Sequence, residues 1–295
     1  MDTPLHFTKM SAAGNDFICL DATRPGVLAR LEAHGLAELV RQLCPRGLGV
    51  GADGLILAVP KTGHPFAEAQ ARFFDPDGSE VELCGNGTAC FAEWTLASGL
   101  ARGPEVTIVT PAGLARGKRN PAEPGRVRAC IPQPLDLLFG VVVEADGRSW
   151  EVDTVTTGVP HAVVPVESVA AVDVRQAGAL LRRHPAFGPR GVNVNFTEIL
   201  DVGRIAVRTF EFGVEDETLA CGTGSSSAAF ITALRENWPQ RYMSGEDPVL
   251  VEVRGGETLK VWFIARPADN VIEDVCLETR VRTVYDGVVR PEFLE

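Results

Sequence analysis

The chain has 295 residues, of which 45% are hydrophobic and 23% are charged, a composition typical of a globular protein with room for two domains. Its formal net charge of −11 argues against nucleic acid and anionic membranes as partners. No apolar stretch reaches the roughly 18 residues of a membrane-spanning helix, and residues 1–6 lack the pattern of a signal peptide. We therefore expect a cytoplasmic protein that acts on a small molecule.

Short strands dominate the predicted secondary structure. Branched residues between turn formers predict strands at 17–20, 54–59, 106–109, 140–143, 161–165, 205–209 and 249–253. Helical periodicity occurs at 26–43, 87–98, 169–183 and 225–236. In each half the order is strands, a helix, more strands, a cysteine-containing turn, a second helix and further strands. This order predicts a mixed α/β fold with mainly antiparallel sheet.

The same pattern predicts two domains. Residues 120–135 contain four prolines and a glycine, which are typical of a linker, and the strand-like run 281–285 is expected to return to the first domain. We place the N-terminal domain at residues 1–131 together with a C-terminal strand at 279–295. The C-terminal domain then covers residues 132–278.

The chain contains seven cysteines, an odd number, and none of them forms a Cys-x-x-Cys pair. A zinc knuckle, a thioredoxin-type motif and a disulfide framework are therefore not expected. Five of the seven lie in apolar surroundings and are expected to be small, reduced core residues. These five are Cys19, Cys44, Cys90, Cys130 and Cys276.

The other two cysteines begin a glycine-rich turn that occurs twice. Cys84 starts the run Cys-Gly-Asn-Gly and Cys221 starts Cys-Gly-Thr-Gly, each followed by small residues that open a predicted helix. The start of a helix attracts anions and lowers the pKa of a thiol placed there. An acidic turn precedes each copy, and neighbouring segments repeat in the same order, which indicates a duplicated domain. Two such thiols predict an enzyme that moves two protons on one carboxylate-bearing substrate.

Segments spread along the whole chain resemble the diaminopimelate epimerase family. They are residues 7–10, 14–17, 49–54, 77–80, 84–87, 158–161, 192–194, 211 and 218–224. The Asp-Arg-Ser-Pro run typical of the related proline racemases is absent before the second cysteine. The resemblance implies an α/β fold of two pseudo-symmetric domains, each a curled mixed sheet around a central helix. It also implies a cleft where the paired cysteines face the substrate, and activity without pyridoxal phosphate, any other cofactor or a metal.

Inversion of an α-carbon requires one base on each face of the substrate. Cys84 and Cys221 suit this task because a thiol can alternate between base and acid near neutral pH. The resemblance implies that His161 and Glu211 orient and deprotonate these thiols. A capped turn residue and a solvated strand-end carboxylate are the simpler explanations of His161 and Glu211.

Backbone and amide groups are expected to bind the reacting end of the substrate. Four N–H groups at the two helix starts can hold the α-carboxylate and stabilise the carbanion. They belong to Gly85, Asn86, Gly222 and Thr223. The resemblance implies that Asn15 and Asn193 hold other polar groups of the substrate, although both also fit as ordinary turn residues.

Three positions for the far end of the substrate depart from the family. Asp75 and Val159 replace asparagines, and Phe212 replaces the arginine that follows Glu211. Loss of that arginine removes a clamp for the second carboxylate of diaminopimelate, at about 1.5–3 kcal/mol per charged hydrogen bond. Asp75 would attract a cation, and Phe212 would offer it an aromatic face. We therefore expect a basic amino acid, histidine before arginine, lysine or ornithine, with diaminopimelate itself as the alternative.

Other functional classes agree less well with the duplicated turn. A cysteine hydrolase needs one nucleophile and one oxyanion site, and a thiol redox protein has no use for two anion sites. An amino-acid-binding protein without catalysis stays open, because only isotope exchange at the α-carbon separates it from an enzyme. The sequence leaves the oligomeric state open, and a homodimer is one option.

Overall fold

The computed structural model describes residues 4–266 and 271–294, which divide into two compact units. Unit 1 comprises Met1–Ala129 and Arg280–Glu295, and unit 2 comprises Cys130–Thr279. The sequence placed these boundaries after residue 131 and before residue 279.

Strands make up most of both units. Those of unit 1 are β1 (Leu5–Ala12), β2 (Asn15–Asp21), β3 (Gly54–Ala58), β4 (Ala69–Phe74), β5 (Glu80–Val81), β6 (Glu105–Thr110), β7 (Gly113–Arg119) and β8 (Arg126–Cys130), whose last residue already belongs to unit 2. Those of unit 2 are β9 (Leu135–Ala145), β10 (Arg148–Thr157), β11 (Val159–Pro165), β12 (Asn193–Asp201), β13 (Arg204–Glu211), β14 (Asp216–Glu217), β15 (Val249–Val253) and β16 (Thr258–Arg266). The long strand β17 (Val271–Val289) pairs with β16 in unit 2 and then with β1 in unit 1.

Helices are few. Unit 1 contains α1 (Val27–His34), α2 (Leu36–Leu43) and α3 (Gly85–Ser98). Unit 2 contains α4 (Val174–Arg182), α5 (Gly222–Arg235) and α6 (Gln240–Met243). None of the helices in the two described ranges is long and apolar enough to cross a membrane.

The two units repeat one strand arrangement. In unit 1, β1 is antiparallel to β2, β2 is parallel to β3, and β3 is antiparallel to β4. In unit 2, the strands β10 to β13 pair in the same three ways. The repeat continues, because β4 is parallel to β6 as β13 is to β15, and β6 and β15 each pair antiparallel with the next strand. This correspondence confirms the predicted mixed α/β fold with two pseudo-symmetric halves.

A buried helix occupies the centre of each unit. Strands of unit 1 contact α3 from several sides, and strands of unit 2 surround α5 in the same way. Both helices consist mainly of small and apolar residues, so they have no polar face to expose. Small residues also let the sheet approach closely: a Cβ at Gly117 of β7 would lie 2.1 Å from the Cβ of Ala92.

Two of the predicted helices are interrupted. The periodic segment 26–43 forms α1 and α2 with Gly35 between them, and Gly35 has a φ of 97° that no α-helix contains. The segment 169–183 begins with a short 3₁₀ turn at Val169–Ala171. The helix α4 then starts after Asp173, whose side chain accepts a hydrogen bond from the N–H of Gln176.

Cys130 and Cys276 form a disulfide, so the expectation that both are reduced core residues was wrong. The pair lies within unit 2, where the N–H of Ile131 donates to the carbonyl of Val275 and brings the two backbones together. Because 146 residues separate the two cysteines in sequence, their spacing carries no signal of the pairing.

Cys19, Cys44 and Cys90 are buried free thiols, as the sequence predicts. Burial raises the pKa of Cys44 to about 12 and raises the pKa values of Cys19 and Cys90 far above the ordinary range. A protonated, buried thiol is a poor nucleophile, so these three residues act as small core side chains.

Candidate active site

Each cysteine of the repeated turn is the N-cap of a central helix. Cys84 precedes α3 and Cys221 precedes α5, both with extended backbone conformation. The Sγ of Cys84 accepts a hydrogen bond from the N–H of Gly87 at 3.4 Å, and the Sγ of Cys221 accepts one from Gly224 at 3.3 Å. A thiol in this position is stabilised as a thiolate by the N–H group and by the helix dipole.

The residue after each cysteine begins its helix. Gly85 and Asn86 open α3, and Gly222 and Thr223 open α5, so all four predicted anion-binding positions lie in a first helical turn. N–H groups of a first turn have no partner within their own helix. They point along the helix axis towards the N-terminus, which is the arrangement that binds a carboxylate.

Glycine is required at the fourth position of the second turn. A Cβ at Gly224 would lie 2.1 Å from the Oδ1 of Asn195 and 3.2 Å from the Sγ of Cys221. In the first turn, a Cβ at Gly87 would lie 3.2 Å from the Cβ of Cys84. The turn of unit 2 therefore packs tightly against a buried amide that the sequence did not single out.

In unit 2, His161 is connected to Cys221 through Thr223. The Nε2 of His161 lies 3.0 Å from the hydroxyl of Thr223, which in turn lies 3.5 Å from the Sγ of Cys221. The other ring nitrogen, Nδ1, lies 3.1 Å from the Nδ2 of Asn195. His161 is fully buried, and this burial lowers its pKa to about 3. The imidazole is therefore neutral at neutral pH.

Unit 2 also contains Glu211, which was predicted to act on the thiols, and three residues that were predicted to bind the substrate. The Oδ1 of Asn193 accepts a hydrogen bond from the N–H of Phe212 at 3.0 Å. The preceding residue, Glu211, ends β13 and accepts a hydrogen bond from the hydroxyl of Thr218. Val159 begins β11 and is buried.

The ring of Phe212 is in contact with two guanidinium groups. The Cζ atoms of Arg182 and Arg190 lie over this ring at 5.3 and 5.2 Å from its centroid. Arg182 also forms a 2.8 Å ion pair with Glu215, which binds Arg183 at the same distance. The aromatic face that the sequence offered to a cationic substrate thus has arginines of the chain itself as neighbours.

In unit 1, Asn15 connects Cys84 to a carboxylate. The Nδ2 of Asn15 donates to the Oδ2 of Asp53 at 3.2 Å. The other end of the amide, its oxygen Oδ1, lies 3.7 Å from the Sγ of Cys84. An amide oxygen only accepts, so the Cys84 thiol is the donor in this contact. Asp75 lies in the turn after β4, where its N–H donates to the carbonyl of Ser79 at 2.9 Å.

A charged cluster supports the Asn15 contact. Asp16 binds Arg46 at 2.6 Å and Lys9 at 2.8 Å, and Asp53 binds Arg46 at 2.8 Å. Burial opposes the ionisation of Asp16, but hydrogen bonds from Arg46 and Lys9 outweigh it and lower the pKa to about 2. The pKa of Asp53 is raised by burial and by the neighbouring Asp16. In the ranges that the structure describes, no three His, Cys, Asp or Glu side chains are grouped as metal ligands.

The sequence matches the family description "Diaminopimelate epimerase" over residues 7–123 and 154–272. The chain belongs to the diaminopimelate epimerase family. Its relatives include the diaminopimelate epimerase of Aquifex aeolicus, 35% identical over 293 residues, with 99% of this chain and 100% of the relative covered. The diaminopimelate epimerase of Moorella thermoacetica is 38% identical over 245 residues, 78% of this chain and 84% of the relative.

Solved structures share the fold of this family member at lower identity. A probable proline racemase from Agrobacterium radiobacter superposes with a TM-score of 0.75 at 20% identity, covering 98% of this chain and 95% of that one. A hydroxyproline epimerase from Agrobacterium vitis gives a TM-score of 0.75 at 18% identity, with 97% and 91% coverage. Membership of the diaminopimelate epimerase family makes the chain an isomerase of the racemase and epimerase class.

In this diaminopimelate epimerase relative, several residues that contact the predicted ones have no clear signal in the sequence. Asp16 and Asp53 lie inside segments that resemble the family, yet a supporting carboxylate has the same sequence signature as a solvated one. Asn195 has no distinguishing pattern, and Arg190 was noticed only as the start of a segment that repeats residues 46–50, because the partners of both lie on other elements of unit 2. Only the folded arrangement brings them next to His161 and Phe212.

Proposed function

We propose that the chain inverts the α-carbon of an amino acid by a two-base mechanism in which Cys84 and Cys221 exchange protons with opposite faces of the substrate. The observation that carries this proposal is the matched geometry of the two turns. Each Sγ accepts the N–H of the glycine three residues later, at 3.4 Å in unit 1 and 3.3 Å in unit 2. A duplicated thiol at a duplicated helix start fits two successive proton transfers better than a single nucleophilic attack.

In the proposed reaction one cysteine thiolate removes the α-hydrogen and the other cysteine thiol delivers a proton to the opposite face. Negative charge flows onto the α-carboxylate as the first proton leaves. The N–H groups of Gly85, Asn86, Gly222 and Thr223 are proposed to receive this charge, each donor contributing about 3 kcal/mol to the transition state. The mechanism uses only side chains and backbone groups of the chain, without a metal or pyridoxal phosphate.

His161 acts in this proposal by positioning rather than by accepting a proton. Burial lowers its pKa to about 3, so it is a weak base at neutral pH and holds the Thr223 hydroxyl beside Cys221. Glu211 ends β13 and accepts a hydrogen bond from the Thr218 hydroxyl. It is proposed to orient and deprotonate a cysteine thiol from that position. Asn15 is proposed to orient the thiol of Cys84 through its amide oxygen.

The contacts of Phe212 bear on the choice between the two candidate substrates. A basic amino acid would bring another cation next to Arg190 and next to Arg182, whose charge Glu215 offsets only in part because Glu215 also binds Arg183, so these arginines would repel it. A substrate with a distal carboxylate would be attracted by the same two guanidinium groups. We therefore propose diaminopimelate as the first candidate. A basic amino acid such as histidine is the second, supported by Asp75 and Val159 at the positions where the family resemblance expects asparagines.

The proposal is tested by exchange of the α-hydrogen in heavy water. Wild-type protein is incubated with LL-diaminopimelate and, separately, with L-histidine, L-arginine, L-lysine and L-ornithine. Cys84→Ser and Cys221→Ser should each lower inversion by several orders of magnitude, whereas Cys90→Ala, which removes a buried thiol of α3, should retain it. Near wild-type turnover in either serine variant would contradict the two-base mechanism. Absence of exchange with every amino acid would leave an amino-acid-binding protein as the better interpretation.

A further inference from the structure

A buried chain of hydrogen bonds leads from Asn195 through His161 and Thr223 to the Sγ of Cys221. We propose that Asn195 is a positioning residue of this site: it fixes the tautomer of His161, so that the hydroxyl of Thr223 donates to Cys221 and stabilises the thiolate. The proposal rests on the proposed function in one respect, because it assumes that Cys221 works as a base.

The first step is the orientation of the Asn195 amide. Its Nδ2 lies 3.1 Å from the carbonyl oxygen of Ala162, which can only accept a hydrogen bond. At the other end, its Oδ1 accepts the hydroxyl of Thr209 at 3.0 Å. Rotating the amide by half a turn would place two oxygens together and break the bond to Ala162. Asn195 is fully buried, so water offers no replacement for the lost bond.

The second step is the tautomer of His161. Three acceptors lie near the Nδ2 of Asn195: the carbonyl of Ala162 and the Nδ1 of His161, both at 3.1 Å, and the carbonyl of Asn193 at 3.5 Å. The two shorter contacts take its two N–H groups, and an amide nitrogen cannot accept a hydrogen bond, so Nδ1 must be the unprotonated acceptor. Burial keeps the imidazole neutral, with a pKa lowered to about 3. A neutral imidazole carries one proton, which must then be on Nε2. This Nε2–H donates to the hydroxyl oxygen of Thr223 at 3.0 Å.

The third step is the direction of the Thr223 hydroxyl. Its oxygen accepts from His161, so its own proton is available for the Sγ of Cys221 at 3.5 Å. The N–H of Gly224 is a second donor to the same sulfur at 3.3 Å. Two donors favour the thiolate over the thiol. With the proton of His161 on Nδ1 instead, the hydroxyl would donate to Nε2 and turn a lone pair towards Cys221, which would disfavour the thiolate.

Packing holds the amide in place against the catalytic turn. A Cβ at Gly224 would lie 2.1 Å from the Oδ1 of Asn195, so this amide and the turn of Cys221 are in direct contact. The amide therefore cannot move towards α5, and its bonds to β11 and β13 prevent movement away. Asn195 is thus held on three sides, as a residue that fixes a tautomer must be.

The test measures the alkylation of Cys221 by iodoacetamide in substrate-free protein across a pH series, with the modified peptide quantified by mass spectrometry. Thr223→Val and Asn195→Ala should each raise the apparent pKa of Cys221 by about 1 to 2, a 10- to 100-fold lower alkylation rate at a pH below both values. Thr223→Ser restores the hydroxyl and should restore the wild-type profile. Thr157→Val is the matched control, since it removes another buried hydroxyl, 3.1 Å from Ser227 of α5, and should leave the profile unchanged.

The tautomer is also measured directly in wild-type protein by ¹⁵N NMR of the His161 ring, so that poor folding of a variant does not decide the outcome. We expect a neutral ring with its proton on Nε2. A proton on Nδ1, an imidazolium ring near neutral pH, or a wild-type alkylation profile in Asn195→Ala would overturn the proposal. These measurements need no substrate, so they stand apart from the tests of the proposed function, which depend on α-hydrogen exchange and on the activity of the Cys84→Ser and Cys221→Ser variants.

Discussion

The guanidinium carbon of Arg190 lies 5.2 Å from the centre of the Phe212 ring. Phe212 occupies the position where the family resemblance expects an arginine, immediately after Glu211. Arg190 reaches the same place from the loop before β12, and Arg182 reaches it from the last turn of α4. The positive charge missing from position 212 is thus present beside it, supplied by residues about 20 to 30 positions earlier in the chain. The interaction between an arginine and an aromatic ring keeps that charge in place.

Arg190→Gln tests whether this charge recognises the substrate. If the distal carboxylate of diaminopimelate binds here, the variant should raise the KM for diaminopimelate about tenfold with little change in kcat, because the lost contact forms equally in ground and transition states. Arg183→Gln is the control, since Arg183 pairs with Glu215 but has no ring contact with Phe212. The rate of α-hydrogen exchange in heavy water, measured at several substrate concentrations, gives KM and kcat for each variant.

A different ranking of substrates would contradict this interpretation. Faster exchange of histidine, arginine, lysine or ornithine than of diaminopimelate would return the preference to the basic amino acids that the sequence favoured. An Arg190→Gln variant that accepts a basic amino acid better than wild-type protein does would point the same way, because it would show that Arg190 repels the natural substrate.

Gly224→Ala should disturb the Cys221 turn more than Gly87→Ala disturbs the Cys84 turn. The added methyl group would lie 2.1 Å from the Oδ1 of Asn195 at position 224, but 3.2 Å from its nearest neighbours at position 87. We expect Gly224→Ala to lower the free energy of unfolding by about 1–3 kcal/mol, as overpacking does, and Gly87→Ala to lower it less. Urea unfolding of the two variants beside wild-type protein measures the difference, and equal losses would show that the Asn195 amide yields to the methyl group.

The sequence predicted those parts of the molecule that depend on local patterns. Glycines after Cys84 and Cys221 indicate turns, and the segments that follow have helical periodicity, so α3 and α5 were predicted within three residues of their observed ends. The interruption at Gly35 was missed because the apolar periodicity continues across it, although its left-handed φ ends α1.

Contacts between distant segments were not predicted. Asn195 is an ordinary polar residue in the sequence of β12, and only the parallel pairing of β11 with β12 brings it near His161. The sequence predicted that Phe212 offers its aromatic face to a cation, but the two arginines that contact it come from α4 and the following loop. Local sequence determines which residue types are available, whereas the sheet topology determines which of them meet.

His161 should make the stability of the protein depend on pH below neutrality. Its pKa in the folded protein is about 3, below the ordinary value of 6.5, so the unfolded chain binds the proton first as the pH falls. The stability contributed by the neutral, buried ring is complete above pH 6.5 and is lost between pH 6.5 and about 3, by about 1.4 kcal/mol per pH unit. Urea unfolding at a series of pH values measures this slope.

His161→Gln is the comparison for the pH prediction, since glutamine keeps polar atoms in the site but does not titrate. The variant is less stable at every pH because it alters the bonds to Thr223 and Asn195, so the slope rather than the absolute stability is compared. The slope between pH 6.5 and 5 should be smaller in the variant by about 1.4 kcal/mol per pH unit. An identical slope in both proteins would show that folding does not lower the pKa of His161.

Reduction of the disulfide between Cys130 and Cys276 should destabilise the protein without involving the turns of Cys84 and Cys221. The bond links residues 146 positions apart, and a crosslink over a long loop restricts the unfolded chain, so its loss should lower the free energy of unfolding by about 2–4 kcal/mol. Cys130→Ser should show the same loss and should no longer respond to a reductant.

Urea unfolding with and without dithiothreitol measures this loss of stability. Mass spectrometry of alkylated thiols should find five free cysteines before reduction and seven after. Seven free thiols in protein purified without reductant would show that Cys130 and Cys276 stay reduced.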